Sequence, residues 1–352
     1  MNFRSFAWCV AAAVALGLEQ PYAASGIVAT YVKLPSLRGP SEALAVDQSG
    51  TFVAGYSYDQ RGLVHATRWS FANGAWTMTY MPVPPNTGAI CDFARGVNDA
   101  GDLTGNTTPD TTSRPVLWPF DGGSILLDCG AESGSARPYA ISAGGQIAAG
   151  IFRQDGGSTT ASVWRPGTCR QPLPPLVPGT SSNAYAINGD GTIVGGLGAS
   201  PQSSGSVPVR WRNQSGQWQV EQLDSRAGLA LGANSVGDLA GYVTVSCGVS
   251  GGCSRAMIWR VDGTSRELAT LGGTDSWLRG INASGEVVGL STTSNGTNTA
   301  FFWSESTGMV QLPIKGQWAG ANAVSDIRAD GTRLVVGIDA NGNAIAWTVR
   351  IQ

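Results

Sequence analysis

Short apolar runs recur along the chain and are broken at regular intervals by turns of the form N-x-x-G. Short runs rich in Val, Ile and aromatic residues and bounded by such turns predict strands. Seven segments align on the turn: AVDQSGTFVAG (45–55), GVNDAGDLTG (96–105), AISAGGQIAAG (140–150), AINGDGTIVGG (186–196), GANSVGDLAG (232–241), GINASGEVVG (280–289) and AVSDIRADGTRLVVG (323–337). Their turn glycines are Gly50, Gly101, Gly145, Gly191, Gly237, Gly285 and Gly331, spaced by 51, 44, 46, 46, 48 and 46 residues. A second marker, Ala or Pro followed three residues later by Trp, recurs in phase at Trp69, Trp118, Trp164, Trp211, Trp259, Trp303 and Trp347. Two markers in phase seven times define a tandem repeat, and a repeat governs how every single element is interpreted.

Each period reads as four strands. The first ends at the Asn, Asp or Ser of the turn, where Gly and Asn supply the positive φ a tight hairpin needs. The second carries the IVG-type run and the third ends at the Trp. A short turn such as SESTG (304–308) then leads to a fourth strand such as MVQL (309–312). No helical periodicity appears, so the chain is expected to be all-β, with essentially no helix. Such a period cannot bury its own apolar face, but stacked neighbours can, and a ring leaves no exposed end. The architecture predicted is a seven-bladed β-propeller of four-stranded blades. The chain stops at a third strand, AIAWTVR (344–350), and the missing fourth strand stands at the front as VATYVKLP (28–35). Pairing of these N- and C-terminal strands would close the ring. An open β-solenoid is the rival, but it prefers shorter coils and capping ends.

The front of the chain adds a location. Arg4 precedes an apolar run from Phe6 to Leu18, and small residues follow at Ala23, Ala24 and Ser25. That order predicts a signal peptide over residues 1–25 and a single propeller domain over 26–352. The run is shorter than the roughly 20 residues of a membrane-spanning helix. A lipoprotein would need a Cys just after the run, whereas Cys9 lies inside it. No later stretch reads as a membrane anchor, so the expectation is a soluble, secreted, monomeric protein of the periplasm or the cell exterior.

Composition agrees with this picture. Charged residues are 13%, against a usual value of about 25%. Gly is abundant, at 49 of 352 residues, which suits many short strands and tight turns. A net charge of −2 gives no electrostatic case for nucleic acid or an anionic membrane. Beyond Cys9 the chain carries Cys91, Cys129, Cys169, Cys247 and Cys253, in no zinc-binding spacing. In an oxidising compartment the default is disulfides. Cys247 and Cys253 flank GVSGG and are expected to staple one loop. Cys91 and Cys129 fall at the same end of the ring and are expected to pair, leaving Cys169 as a free thiol.

The copy GINASGEVVGLSTTSNGTNTAFFWSESTGMVQL (280–312) resembles the HAF-type bacterial extracellular repeat, which runs I-N-x-x-G-x-I-V-G, then H-A-F-x-W, then a leucine strand. The resemblance extends over residues 28–352. Copy one keeps the eponymous pair as His65-Ala66, while other copies place Arg114, Thr160, Val207, Arg255, Thr299 and Asn343 at the His position. The resemblance implies a propeller-like fold and export, and no reaction.

Function is expected on loops held by the rigid ring. The second-to-third loops and the connections between repeats are long and varied, so that face is the expected working surface. Two residues before the Ile or Val of each first strand lies a variable position: Leu44, Arg95, Tyr139, Tyr185, Leu231, Arg279 and Asn322. It is expected near the mouth on that face. Arg95 and Arg279 suit an anion; Tyr139 and Tyr185 suit stacking on a sugar ring or peptide. The competing reading is packing between blades. Trp277 and Trp318, in connections between repeats, are the expected exposed aromatics, whereas the seven repeat Trp residues read as packing.

Enzyme readings have less support. The single His, His65, has no G-x-S-x-G companion. Asp59, Asp110, Asp155 and Asp275 on the long loops are the carboxylates available for glycoside chemistry. The S-x-D-x-G-x-T-W box of sialidase propellers is absent. Turns such as Asn188-Gly189-Asp190-Gly191 lack the terminal Glu of a calcium loop. No metal or cofactor is expected. The reading is an exported non-catalytic binding module for a glycan or an extracellular protein. The alternatives are a polysaccharide-acting propeller enzyme and a structural surface component.

Overall fold

A computed structural model describes residues 22–352 except 25, 86, 89–90, 109–111, 128–133, 146–147, 155–156, 169, 203–204, 249–251 and 315–318. Among the described residues all regular structure is β-strand. The expected leader lies outside them apart from Tyr22–Ala24, which pairs with Ile27–Ala29.

The strands pair antiparallel, mostly with their neighbours in sequence. Four sheets have four strands each, beginning at Gly134–Ile141, Ser182–Ile187, Gly228–Ala233 and Gly272–Ile281. Two more units of four begin at Ser41–Val46 and Cys91–Val97, and a single parallel pair, Val64 with Cys91, merges them into one sheet of eight. The last sheet holds Ala319–Val324, Arg333–Asp339 and Ala344–Ile351. Its next strand comes from the front of the chain: Ile27–Lys33 pairs antiparallel with Ala344–Ile351, from Ile27 opposite Ile351 to Lys33 opposite Ile345.

Each turn glycine identified in the sequence has a positive φ, from 67° at Gly145 to 96° at Gly237. Its N–H closes the turn on the carbonyl three residues earlier, as Gly101 does on Asn98 and Gly285 on Asn282. The Asn or Asp that opens the turn is buried, and its side chain holds the turn's other end: Asn188 Oδ1 accepts from the backbone N–H of Thr192 and Ile193.

The core lies between sheets. One cluster packs Ala149 and Val163 on Val194 and Trp211 of the following sheet; another packs Ala240 and Ile258 on Val287 and Phe301. The last sheet packs on the first through Leu334, Val336 and Ala344 against Ala43, Val53 and Trp69. The repeat Trp residues are buried at 5% exposure or less, as packing residues should be. Among the described residues four reach back to the preceding repeat, where the indole N–H of Trp69, Trp118, Trp211 and Trp347 donates to the carbonyls of Pro35, Pro82, Pro174 and Pro313 at 2.7–2.9 Å.

Two cysteine expectations separate here. Cys247 and Cys253 form a disulfide. Cys91 carries a free, half-buried thiol, so the expected Cys91–Cys129 bridge is corrected. Cys91 sits within a strand, opposite Thr108 on one side and Val64 on the other, and sharing an end of the molecule does not bring two thiols together. Cys129 and Cys169 lie outside the described residues.

Candidate functional site

The ladder between first and second strands slips by one residue at the same place in every repeat. The slips fall between Ala43 and Ala45, Ala94 and Gly96, Pro138 and Ala140, Ala184 and Ala186, Ala230 and Gly232, Leu278 and Gly280, and Ala321 and Ala323. The extra residues are Leu44, Arg95, Tyr139, Tyr185, Leu231, Arg279 and Asn322, the variable position of the repeat. A β-bulge leaves one residue out of the ladder and re-aims its side chain. It also explains the glycine of the IVG run. A Cβ on Gly55 would land on the carbonyl oxygen of Glu42, and Gly105, Gly150, Gly196, Gly241, Gly289 and Gly337 face the equivalent carbonyl in their own repeats. Only a residue without a side chain lets the bulged strand approach so closely.

All seven bulge residues line one cavity of about 190 Å³. The strand Asn or Asp and the turn residues that follow complete its wall, among them Asp47, Gln48, Asp99, Ser235 and Asp326. The sequence pointed to the long-loop face instead. The bulge sits mid-strand, but the lining residues run from it toward the turns, through Gln48, Asp99, Gly189 and Ser235, so the cavity belongs to the turn end. Apart from Arg279 and Gly280, which sit in the strand Gly272–Ile281, no residue of the long segments lines the cavity.

Contacts run from repeat to repeat around this level. Arg279 donates to Asn322 Oδ1 at 2.8 Å, and Asn322 Nδ2 donates to Glu42 Oε1 at 3.1 Å. Tyr56 donates its hydroxyl to Glu42 Oε2 at 2.7 Å and packs edge-on against Phe93. Arg95 lies over both Phe93 and Tyr139, at 5.2 and 5.0 Å from the ring centres, and its Nε donates to Asn106 Oδ1 at 3.0 Å. Tyr139 meets Tyr185 edge-on at 5.2 Å, and Asn183 donates to the Tyr185 hydroxyl. The first and fifth repeats contribute Leu44 and Leu231 instead of a polar group.

Two consequences concern charge. Arg95 and Arg279 are each pinned by an amide oxygen, and neither is in an ion pair among the described residues. Burial draws the Arg95 guanidinium below its ordinary pKa, helped by Arg137, yet it stays charged at any physiological pH. Glu42 is held by a hydroxyl and an amide. Burial, followed by the Glu42 charge, pushes the Tyr56 hydroxyl well above the usual tyrosine range, so it remains a donor. At the turn end the three carboxylates accept backbone N–H groups of neighbouring repeats or their own turn: Phe52 on Asp47, Gln48 on Asp99 and Ala283 on Asp326. Burial raises the pKa of Asp47 and of Asp326, and the Asp99 charge adds to both.

Of the residues singled out in the sequence, the structure brings Arg95, Tyr139, Tyr185 and Arg279 to one cavity. Trp277 is not in a connecting loop: it lies half-buried inside the strand Gly272–Ile281, opposite Leu290, and does not line the cavity. Trp318 lies outside the described residues. Sequence reasoning missed Glu42, Phe93 and Asn183, which stand two residues before the bulge in their strands. The period of two that marks a strand face was the signal for them. Nothing local marked Tyr56 or Asn106, which arrive from second strands.

No family model matches the chain, and no curated protein matches it in sequence. Solved structures match in fold. An oligogalacturonate lyase from Vibrio parahaemolyticus is similar with a TM-score of 0.61 at 9% identity, over 97% of this chain and 98% of that one. The β-propeller domain of the Trilobed protease from Pyrococcus furiosus, described as having an open velcro topology, gives 0.54 at 9% identity over 96% and 94%. Virginiamycin B lyase from Staphylococcus aureus gives 0.52 at 10% identity over 91% and 99%. The chain has the β-propeller fold. At such identities the likeness concerns the fold alone, since propellers host many functions.

Proposed function

We propose that this protein is an exported, non-catalytic propeller module that binds a glycan or an extracellular protein in the cavity lined by the bulge residues. The propeller has seven four-stranded blades and is closed by the pairing of Ile27–Lys33 with Ala344–Ile351. Supporting this are seven equivalent bulges and core contact between last and first sheets. The observation that carries the binding reading is the conversion of one repeated backbone irregularity into a shared wall of Arg, Tyr, Asn and Leu side chains. The cavity's carboxylates are engaged with backbone N–H groups, an arrangement suited to holding turns rather than to paired acid–base work. At about 190 Å³ the cavity falls below the ~300–1,000 Å³ of sites for drug-sized ligands, which suits one sugar unit or a chain end. Export is supported by the leader pattern and the Cys247–Cys253 disulfide. The HAF-type resemblance fits the same setting. Among the described residues no helix is long and apolar enough to cross a membrane.

The test is a glycan array and a pull-down from extracellular material, run with the native protein beside a Tyr139→Ala/Tyr185→Ala variant. Binding that the variant loses supports the reading. Binding that survives both substitutions places recognition elsewhere and refutes it.

A further inference from the structure

Resting on that binding reading, we infer that the cavity takes an acidic sugar unit, a hexuronate, with its carboxylate on Arg95 and its ring against Tyr139 and Tyr185. Three observations converge on this chemistry. The first is positive charge without a carboxylate partner. Asn106 fixes the Nε edge of Arg95, and the rings of Phe93 and Tyr139 flank its plane, which leaves the two terminal nitrogens as the unpaired edge. A guanidinium oriented by a neutral amide, with the Glu42 carboxylate near but not paired to it, retains attraction for an anion, and its planar fork matches a carboxylate. Arg279 lines the same cavity, pinned by the Asn322 amide through one terminal nitrogen.

The second observation is the aromatic pair. Tyr139 follows Arg95 in the next repeat and Tyr185 follows Tyr139, and both line the cavity. A half-buried Tyr offers an apolar face for a sugar ring and a hydroxyl for its rim. Burial raises the pKa of the Tyr185 hydroxyl, so it stays protonated.

The third is the sign change toward the turn end. Asp99 stands four residues beyond Arg95, and Asp47 and Asp326 line the same end. Asp99 and Asp326 each use Oδ1 on a backbone N–H, so Oδ2 can accept a ligand hydroxyl while the charge repels a plain anion. A ligand satisfying both levels carries one carboxylate and several hydroxyls. Simple carboxylates, phosphate and neutral hexoses each satisfy only part of this set.

The experiment is calorimetric titration of the native protein with galacturonate and glucuronate, against galactose and glucose as matched neutral sugars and acetate as the charge alone. The expected result is that at least one hexuronate binds roughly ten-fold or more tightly than its neutral counterpart, the size of one charge-assisted hydrogen-bond pair. That preference should shrink as salt is raised from about 0.05 to about 0.5 M. Arg95→Gln should abolish the preference, and Arg279→Gln, at an exposed side chain that the fold tolerates, should reduce it. Circular dichroism checks that each variant is folded. Tyr139→Ala should weaken acidic and neutral sugars alike. Equal affinity for acid and neutral sugar, an unchanged preference in folded Arg95→Gln, or acetate binding as tightly as a hexuronate would each overturn the inference. If neutral glycans bind and depend on Tyr139 and Tyr185 while hexuronates do not bind, the acidic-sugar inference falls and the binding module stands.

Discussion

The bulge makes a sharp prediction from two glycines of the seventh repeat. Gly337 lies in the second strand opposite Ala321, and a Cβ there would strike the carbonyl oxygen of Gly320. Gly320 lies opposite Ile338, and a Cβ there would meet only the side chains of Ile338 and Leu290, at 3.6–3.8 Å. Neither glycine has a positive φ, so the comparison isolates steric room from backbone strain. Gly337→Ala must push the bulged strand away, an overpacking effect of about 1–3 kcal/mol. Gly320→Ala makes ordinary contacts and restricts the unfolded chain, so it should fall within about 1 kcal/mol of the native protein, on the stabilising side. Urea unfolding followed by tryptophan fluorescence reads the difference. With a slope of about 3 kcal/mol/M, the Gly337→Ala midpoint should fall by roughly 0.3–1 M while the Gly320→Ala midpoint holds. Asn322 is the bulge residue of this strand, so Gly337→Ala should also disturb its contacts to Arg279 and Glu42. Equal midpoints for the two variants would refute the claim that the IVG glycine exists to admit the bulge.

Three further predictions follow from buried polar groups and the cysteines. Glu286 and Arg333, both under 10% exposed, join the sixth and seventh repeats through Nε at 2.8 Å and Nη2 at 2.5 Å. Glu286→Ala should cost about 3–5 kcal/mol by stranding the guanidinium, and Glu286→Leu/Arg333→Met much less; a double variant as unstable as the single would contradict this. Asp92 is 2% exposed, and burial raises its pKa above 3.8. A raised carboxyl favours folding below its unfolded pKa and loses that contribution as pH rises through the folded value. Asp92→Asn should therefore gain stability relative to the native protein at pH about 7, and the gain should vanish below pH about 4; a gain independent of pH would refute it. Alkylation of the native protein without reductant should label Cys91 and spare Cys247 and Cys253, so a peptide map showing Cys91 in a disulfide would contradict the structure.

The all-β class, the repeat, the turn glycines and the packing role of the Trp residues were legible in the chain of residues alone. These follow from local chemistry: short apolar runs set the strands, Gly and Asn set the turns, and one indole per period can only be a shared packing element. The sequence also marked Arg95, Tyr139, Tyr185 and Arg279, because a position that varies inside an otherwise regular strand stands out. Which end of the molecule they share, and what they touch, depends on how the strands pair and the sheets pack. The bulge shifts register by one residue, and a register shift is a property of two paired strands, invisible in either alone. The partners Asn106 and Tyr56 come from second strands, and Glu42 and Asn322 meet although 280 residues separate them. The same limit explains the cysteines. Cys247 and Cys253 are close in sequence and pair, whereas Cys91 is placed by its strand neighbours, and those are set by the packing of one sheet against the next.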